Sequence, residues 1–368
     1  MRKLAMALMM LGLATAACSS NTTRASDTSE SPDITGSAAR SSETSPVTVA
    51  PESTTSDVSG SDTKPASPTT APPTTAPPSA VSSDVDGSAS PSPIAATTFP
   101  LRPAGSADRP FTVEVPKTYN SATPAPLLVV LHGYTSTGAS IKGYFNLQPV
   151  AEERGFLAVY PDGTKDFRGQ PFWNATDACC NFGSSTVDDS GYLMSIIDYA
   201  KKTYSVDPKR IYVLGHSNGG FMSYRMACEH ADIIAAVVSL AGATFGDAAR
   251  CKPSEPVSVL QVHGTSDVVI SYSGGDILGH SFPAAIATVT TWAGYDRCAP
   301  KPIVSADLHS LDLDKGIPGP DTGATTFDGC KAGIGVELLS IDGGAHSPGL
   351  SAEFAATVVD FLYKHPKP

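Results

Sequence analysis

Three features that mark common functional classes are missing from this 368-residue sequence. Basic residues form no stripe, and the net charge is −11, which argues against a nucleic acid partner. No Cys-x-x-Cys or His-Glu-x-x-His spacing occurs, so the cysteines and histidines predict no metal site. The apolar run of residues 4–17 is too short to span a bilayer comfortably.

The N-terminal run has the form of an export signal. It follows two basic residues and ends Thr15-Ala16-Ala17-Cys18, which resembles the lipobox of bacterial lipoproteins, with Thr15 where leucine is usual. We expect residues 1–17 to be a signal peptide and Cys18 to carry a lipid that anchors the protein outside the cell membrane. The alternative is cleavage after Ala16, which would leave a fully secreted protein.

Composition divides the rest of the chain in two. Residues 18–95 are almost entirely Ser, Thr, Pro, Ala, Gly and Asp, without apolar periodicity. Such a segment buries too little surface to offset its ordering entropy, so it predicts a disordered tether. Residues 96–368 have the length and apolar content of one catalytic domain with a full core.

Six of the seven cysteines lie in residues 96–368. An even number in an exported chain argues for disulfides. Proximity along the chain favours two pairs, Cys228–Cys251 and Cys298–Cys330. The adjacent Cys179 and Cys180 then bridge each other or stay reduced.

Short apolar runs alternate with segments of helical periodicity along this domain. This alternation predicts an α/β fold, with a mostly parallel central sheet flanked by helices on both faces. Ligands of such sheets bind beyond the carboxyl ends of the strands. The predicted strands are residues 111–115 (as an edge strand), 127–131, 156–160, 210–214, 235–240, 257–262 and Val336–Ile341, with helices near 193–200, 218–230, 284–293 and after 351.

The strand before Gly215 leads into Gly215-His216-Ser217-Asn218-Gly219 and then into a predicted helix. A Gly-x-Ser-x-Gly between a strand and a helix is the nucleophile elbow of an α/β-hydrolase. The small residues let the chain turn tightly and expose the serine at the tip. We therefore expect Ser217 to be a catalytic nucleophile.

Two later strand ends carry the partners that a serine nucleophile needs. Asp267 follows residues 257–262 and can orient a histidine, whereas His346 follows Val336–Ile341 and can act as general base. The chain order serine, aspartate, histidine is the order of this fold. Other loop residues compete for these roles or stay unassigned: Asp188, Asp189 and Asp276 as acids, and Asp162 and His280 without a role.

The loop after residues 127–131 begins His132-Gly133-Tyr134. A His-Gly loop at this place supplies half of an oxyanion hole, so we expect the backbone N–H groups of Tyr134 and Asn218 to be the donors. Thr135 is a possible substitute for Tyr134. Trp173 could form, together with Tyr134, an aromatic wall that contacts substrate, although ordinary packing explains it equally well.

Four stretches of this domain resemble the polyhydroxybutyrate depolymerase and feruloyl esterase type of secreted α/β-hydrolase, and the resemblance covers most of residues 108–365. It implies cleavage of polyester, aromatic-acid or acetyl esters outside the cell by Ser217, Asp267 and His346. The segment around the histidine lacks the tryptophan of the pattern Gly-His-Ser-Trp-Pro-Gly, which weakens the transfer of substrate preference but not that of the triad. The stretches are residues 206–217, 179–189, 262–267 and 343–349.

Together these patterns predict an exported serine hydrolase that cleaves small or polymeric carboxylic esters through an acyl-enzyme, without a cofactor. A cell-envelope acyltransferase with the same triad is the first alternative, and a non-catalytic surface-binding protein is the second. A peptidase is less favoured, because the sequence shows no propeller or gating domain. The sequence predicts neither the acid and alcohol halves of the ester nor the oligomeric state.

Overall fold

The computed structural model describes residues 98–101, 109–307, 309–331 and 333–368. All of them belong to one unit of the chain, Val85–Pro368. The predicted signal peptide of residues 1–17, the lipidation site Cys18 and the tether of residues 18–95 lie outside the described residues.

Strands and helices alternate through most of this unit. The strands are β1 Thr98–Leu101, β2 Arg109–Glu114, β3 Ala125–Leu131, β4 Leu157–Val159, β5 Thr164–Lys165, β6 Pro171–Phe172, β7 Val206–His216, β8 Ala236–Leu240, β9 Ser258–Gly264, β10 Gly275–Ile277, β11 His280–Phe282, β12 Ile303–Val304, β13 Thr322–Thr326 and β14 Val336–Ile341. The helices are α1 Gly138–Phe145, α2 Gln148–Arg154, α3 Asp189–Thr203, α4 Asn218–Glu229, α5 Ala285–Tyr295 and α6 Ala352–Lys364. None of these helices, in the part of the chain described, is long and apolar enough to cross a membrane.

The main sheet has the strand order β1-β2-β4-β3-β7-β8-β9-β14-β13-β12. Its centre is parallel from β4 to β14, and the strands beyond that centre on both sides pair antiparallel. β5–β6 and β10–β11 form two separate small hairpins. A buried parallel centre is what continuous apolar strands require, because both of their faces are covered.

Side chains of the central strands alternate between two apolar cores. Along β3, Leu127 and Val129 join the core that also contains α3, α4 and α5. Leu128 and Val130 join the core on the other face, with α1, α2 and α6. The prediction of a mostly parallel sheet covered by helices on both faces is confirmed.

Two features of the fold differ from expectation. Residues 111–115 are not an edge strand, because β1 pairs antiparallel outside β2. Helices α1 and α2 were not predicted, since each has only seven or eight residues and few buried side chains. α1 is defined by its ends: the Thr137 side chain accepts from Ser140 N–H, and Asn146 ends the helix in the left-handed region with φ 45°.

Four loops leave the carboxyl edge of the parallel strands beside one another. The loops after β3 and β7 adjoin because these strands pair directly, and so do the loops after β9 and β14. β8 lies between the two pairs. This order brings the loops that contain His132, Ser217, Asp267 and His346 to one edge of the sheet. Ligands of α/β folds bind at this edge.

A buried carboxyl lies at the end of α5, apart from that edge. Asp296 is fully buried, and its Oδ1 accepts from Val257 N–H at 3.1 Å. Its Oδ2 has no hydrogen-bond partner among the residues that the structure describes. Burial raises the pKa of Asp296 to about 7, although the Val257 N–H and the charge of Lys367 oppose this rise.

This carboxyl makes stability depend on pH. The folded protein keeps the Asp296 proton between pH 3.8 and about 7, where the unfolded chain has released it, so stability falls as pH rises through this window. Between pH 5 and pH 8, the free energy of unfolding should therefore decrease in both proteins to different extents. We expect the decrease to be smaller in Asp296→Asn than in wild type by roughly 1–3 kcal/mol. Urea denaturation at both pH values measures this, with the exposed Asp328→Asn as control; equal pH dependence in both variants would contradict it.

Candidate active site

Ser217 lies at a sharp turn between β7 and α4. It adopts φ 55° and ψ −120°, and its N–H donates to Leu240 O at 2.8 Å. A Cβ at Gly215 would collide with the backbone of Gly219, and a Cβ at Gly219 would collide with the carbonyl of Leu131. Only glycine fits at these two positions, which leaves the serine at the tip of the turn.

The side chains of Ser217, His346 and Asp267 form a continuous hydrogen-bonded relay. Ser217 Oγ lies 2.9 Å from His346 Nε2, and His346 Nδ1 lies 2.7 Å from Asp267 Oδ2. Because Nδ1–H donates to the carboxylate, Nε2 is left to accept the serine O–H. The structure thus brings together the three residues that we expected to act as nucleophile, base and acid.

The Asp267 carboxylate is held by several donors. Its Oδ1 accepts from the N–H groups of Val269 and Ile270, at 2.8 and 2.9 Å. Burial by itself would raise the pKa of Asp267, but hydrogen bonds from His263 and His346 outweigh it and hold this pKa well below its ordinary value. Asp267 therefore stays ionised, as orientation of an imidazolium requires.

Behind Asp267 lie two polar side chains of β9 that we did not assign. Gln261 Nε2 donates to His263 Nδ1 at 3.0 Å, so Nε2 of His263 carries the proton and donates to Ile270 O at 2.8 Å. This Nε2 also lies 3.3 Å from Asp267 Oδ2. The available signal was the presence of glutamine and histidine in an otherwise apolar strand, since buried polar groups need partners.

Within the described residues, neither Tyr134 N–H nor Asn218 N–H donates to a protein acceptor, so both remain available to a substrate oxygen. Thr135 N–H, in contrast, donates to Pro171 O at 2.8 Å. Thr135 is therefore not a substitute donor for Tyr134 in this structure. Asn218 is the first residue of α4, where unpaired N–H groups and the helix dipole both favour negative charge.

Two side chains hold the loop that carries His346. His216 Nε2–H donates to His346 O at 2.9 Å, and Tyr144 O–H donates to Pro348 O at 3.0 Å. Burial, together with the nearby His346, lowers the pKa of His216 to about 4. His216 is therefore neutral near pH 7 and serves as a hydrogen-bond donor rather than as a second base.

Ser217 and His346 open onto a cleft of about 340 Å³. A larger groove of about 770 Å³ near Pro253 and Pro368 contains none of the relay residues. The cleft combines hydroxyl groups with apolar surface. Its lining consists of Gly133, Tyr134, Ser136, Ser140, Ile141, Tyr144, His216, Ser217, His346 and Ser347.

Trp173 does not line this cleft, so the expected substrate contact is wrong. The side chain is fully buried, and its indole N–H donates to His132 O at 3.0 Å. The short strand β6 ends at Phe172 and turns Trp173 toward the interior, against the loop of Tyr134. Tyr134 itself does line the cleft. Periodicity could not separate these two aromatic residues, because both lie in irregular loops.

The competing loop residues have other partners. Asp188 caps α3 and accepts from Gly191 N–H, and the fully buried Asp189 forms an ion pair with Arg109. Asp162 accepts from Gly138 N–H. Asp276 and His280 are exposed in the β10–β11 hairpin. None of them contacts His346 in the part of the chain described.

The structure joins six cysteines into three disulfides. The two favoured pairs, Cys228–Cys251 and Cys298–Cys330, are both formed, and Cys179 bridges the adjacent Cys180. Among the described residues, no three His, Cys, Asp or Glu side chains gather in a way that could hold a metal ion.

Comparison with known proteins finds a peptidase family model and several individual esterases. The Prolyl oligopeptidase family (Peptidase_S9) matches residues 143–265, which include Ser217 but neither Asp267 nor His346. The chain is 28% identical to feruloyl esterase B of Piromyces equi, over 66% of this chain and 43% of that protein. It is 26% identical to the putative esterase NocK of Nocardia uniformis subsp. tsuyamanensis, over 64% of this chain and 69% of that protein.

Among solved structures, the acetyl xylan esterase from Aspergillus awamori aligns with a TM-score of 0.48 and 15% identity, over 70% of this chain and 94% of the other. The predicted α/β-hydrolase fold is confirmed, and so is the resemblance to the feruloyl esterase type. The relatives agree with an ester hydrolase of the serine hydrolase type. The chain spans less than half the length of the Piromyces protein, which therefore contains more than this domain.

Proposed function

We propose that this protein is an exported serine esterase that hydrolyses carboxylic esters through an acyl-enzyme. The observation that carries the proposal is the relay itself, with 2.9 Å from Ser217 Oγ to His346 Nε2 and 2.7 Å from His346 Nδ1 to Asp267 Oδ2. A serine, a base within reach of it and an acid that orients the base are the parts that acyl transfer needs.

In the first half of the cycle, Ser217 Oγ forms a bond to the ester carbonyl carbon, and its proton moves to His346 Nε2. Asp267 stabilises the resulting imidazolium. The N–H groups of Tyr134 and Asn218 donate hydrogen bonds to the carbonyl oxygen as its negative charge develops, and each such donor stabilises the transition state by about 3 kcal/mol. The bond to the alcohol oxygen then breaks, and the alcohol leaves with the proton from His346.

In the second half, a water molecule attacks the acyl-enzyme. His346 Nε2 takes one proton from this water, and the oxygen forms a bond to the acyl carbon. Collapse of the second tetrahedral intermediate breaks the bond to Ser217 Oγ, which recovers the proton from His346. The acid is released and the resting relay is restored, so the residues complete the cycle without a cofactor.

The lining of the cleft supports a substrate with an apolar half and a hydroxylated half. Tyr134, Tyr144 and Ile141 offer apolar contact, whereas Ser136 and Ser140 offer hydroxyl groups. The similarity to feruloyl esterase B supports an aromatic acid such as the feruloyl group, and the serine hydroxyls of the cleft support a hydroxylated alcohol such as a sugar. We propose this class ahead of hydroxybutyrate oligomers and simple short-chain esters.

A substrate panel tests the proposed function. Purified protein should release acid from p-nitrophenyl acetate and butyrate, and its kcat/KM should be higher for a feruloyl sugar ester than for acetyl-xylan or a hydroxybutyrate oligomer. Product analysis with an added alcohol or sugar acceptor separates hydrolysis from acyl transfer, and a peptide p-nitroanilide tests for peptidase activity. Absence of turnover on every ester would exclude the esterase; cleavage of the anilide would then favour the peptidase, and no turnover of any substrate would favour the binding protein.

We also propose that the protein is anchored at the outer face of the cell membrane through a lipid on Cys18. The supporting pattern is Thr15-Ala16-Ala17-Cys18 after an apolar run. Radiolabelled fatty acid should be incorporated into wild type, and Cys18→Ala should lose the label and appear in the soluble extracytoplasmic fraction. Equal labelling of both proteins would contradict the anchor, and an unlabelled, soluble wild type would favour full secretion.

A further inference from the structure

The side chain of Asn218 is paired with the backbone of Trp173. Trp173 N–H donates to Asn218 Oδ1 at 2.7 Å, and Asn218 Nδ2 donates to Trp173 O at 3.0 Å. Both residues are fully buried. The two bonds use the acceptor and the donor of one carboxamide at once, so they fix its orientation and, through it, the first residue of α4.

The beginning of α4 needs such an anchor because its usual one is missing. Ser217 occupies the N-cap position, but its side chain makes no capping hydrogen bond and lies instead within reach of His346. The first N–H groups of the helix are thus not covered by the serine. Asn218 carries one of these groups and is held by Trp173 from the side.

The indole of Trp173 is bonded to the other half of the proposed oxyanion hole. Its Nε1–H donates to His132 O, two residues before Tyr134. His132 Nε2 accepts from Gly163 N–H at 2.9 Å, and its Nδ1–H donates to Gly133 O at 2.8 Å. Burial lowers the pKa of His132, which keeps the ring in the neutral form that this pattern requires.

The segment of Trp173 is itself bonded to the interior. Asn174 N–H donates to Asp189 Oδ2 at 2.7 Å, and Asp189 forms a buried ion pair with Arg109. Trp173 therefore links two loops of the site from a fixed position. Its place behind the cleft, rather than in its wall, is what permits these contacts.

We infer that Trp173 and the side chains of Asn218 and His132 form an oxyanion clamp, which sets the distance between the N–H groups of Tyr134 and Asn218. The inference rests on the proposed function. Both donors must lie within about 2.7–3.1 Å of the same oxygen in the transition state. Trp173 bonds to one donor segment through its indole and to the other through its backbone, and it does not reach the reacting atoms, so it is a positioning residue rather than a catalytic one.

The clamp predicts a specific kinetic defect. Trp173→Phe keeps an aromatic ring but loses the bond to His132 O, and Asn218→Ala loses both bonds to the Trp173 backbone. Each variant should lower kcat for an aryl ester by up to about 100-fold, with KM within about twofold of wild type. The chain offers matched controls: Trp292→Phe removes a buried indole bond to Thr244, and Ser223→Ala removes a buried bond within α4.

A thionoester substrate separates positioning from general loss of structure. Its sulfur accepts hydrogen bonds weakly, so the oxyanion hole accelerates its cleavage less. The ratio of kcat/KM for ester over thionoester should fall at least about tenfold in Trp173→Phe and Asn218→Ala, and stay at the wild-type value in Trp292→Phe and Ser223→Ala. If Trp173→Phe does not fold, Asn218→Ala and Asn218→Asp provide the same comparison.

The outcomes distinguish this inference from the proposed function. Equal ester-to-thionoester ratios in wild type and all variants, with an active wild-type enzyme, would overturn the clamp and leave the esterase intact. The same loss of ratio in Trp292→Phe would also overturn it, because the effect would then not be specific to the site. An inactive wild type would overturn both proposals.

Discussion

Ser217→Ala should lower kcat for p-nitrophenyl butyrate by roughly 10⁶-fold, because Ser217 is the only nucleophile of the proposed hydrolysis cycle that can form the acyl-enzyme. The cleft keeps its shape when one oxygen is removed, so the affinity for a non-hydrolysable amide analogue should change by less than about threefold. Steady-state kinetics measure the first quantity, and calorimetric titration measures the second.

Ser223→Ala is the matched control for this experiment. It removes a hydroxyl of the same size from helix α4, which begins directly after Ser217, and there Ser223 Oγ–H donates to Gly219 O. Its kcat should stay within about twofold of wild type, since surrounding packing is unchanged. If Ser217→Ala retained more than a few per cent of the wild-type kcat, another residue would have to be the nucleophile.

Asp267→Asn should lower kcat by roughly 10⁴-fold with little change in KM. The asparagine NH₂ would face His346 Nδ1 and convert this nitrogen from donor into acceptor. The ring proton would then sit on Nε2, which could no longer accept the Ser217 O–H. The two bonds that Oδ1 accepts from Val269 and Ile270 are retained, so the loop itself should keep its conformation.

Asp276→Asn tests whether the effect belongs to this carboxylate. Asp276 lies in the exposed β10–β11 hairpin, where its Oδ1 accepts from Gly279 N–H. This variant should keep wild-type kcat. A loss of activity in Asp276→Asn combined with normal activity in Asp267→Asn would reverse the assignment of the acid, and thermal unfolding of both variants controls for misfolding.

The parts of the site that lie directly after strands were predictable from the sequence. Ser217, Asp267 and His346 each follow a run of buried apolar residues, and parallel strands bring their carboxyl ends to one edge. Tyr134 and Asn218 follow from the same rule, because one comes just after β3 and the other just after β7. Strand periodicity and strand order carry this information together.

The parts that depend on loops were not predictable. Trp173 lies in an irregular segment, so its sequence position does not tell whether the ring faces the cleft or the interior. The support of Asp267 by His263 depends on contacts among Gln261, Ile270 and the α4 residue Tyr224, whose O–H donates to Gln261 Oε1 at 2.7 Å. Such networks follow from three-dimensional packing and have no local pattern in the chain.

Covalent labelling tests the central claim most directly. An organophosphate such as diethyl p-nitrophenyl phosphate should react once per chain: Ser217 Oγ forms the bond to phosphorus, and p-nitrophenolate leaves. Peptide mass spectrometry should find the diethyl phosphoryl group on Ser217 alone, and ester turnover should fall in proportion to the fraction labelled. Full inactivation with the label on another residue, or full labelling of Ser217 with turnover unchanged, would contradict the account.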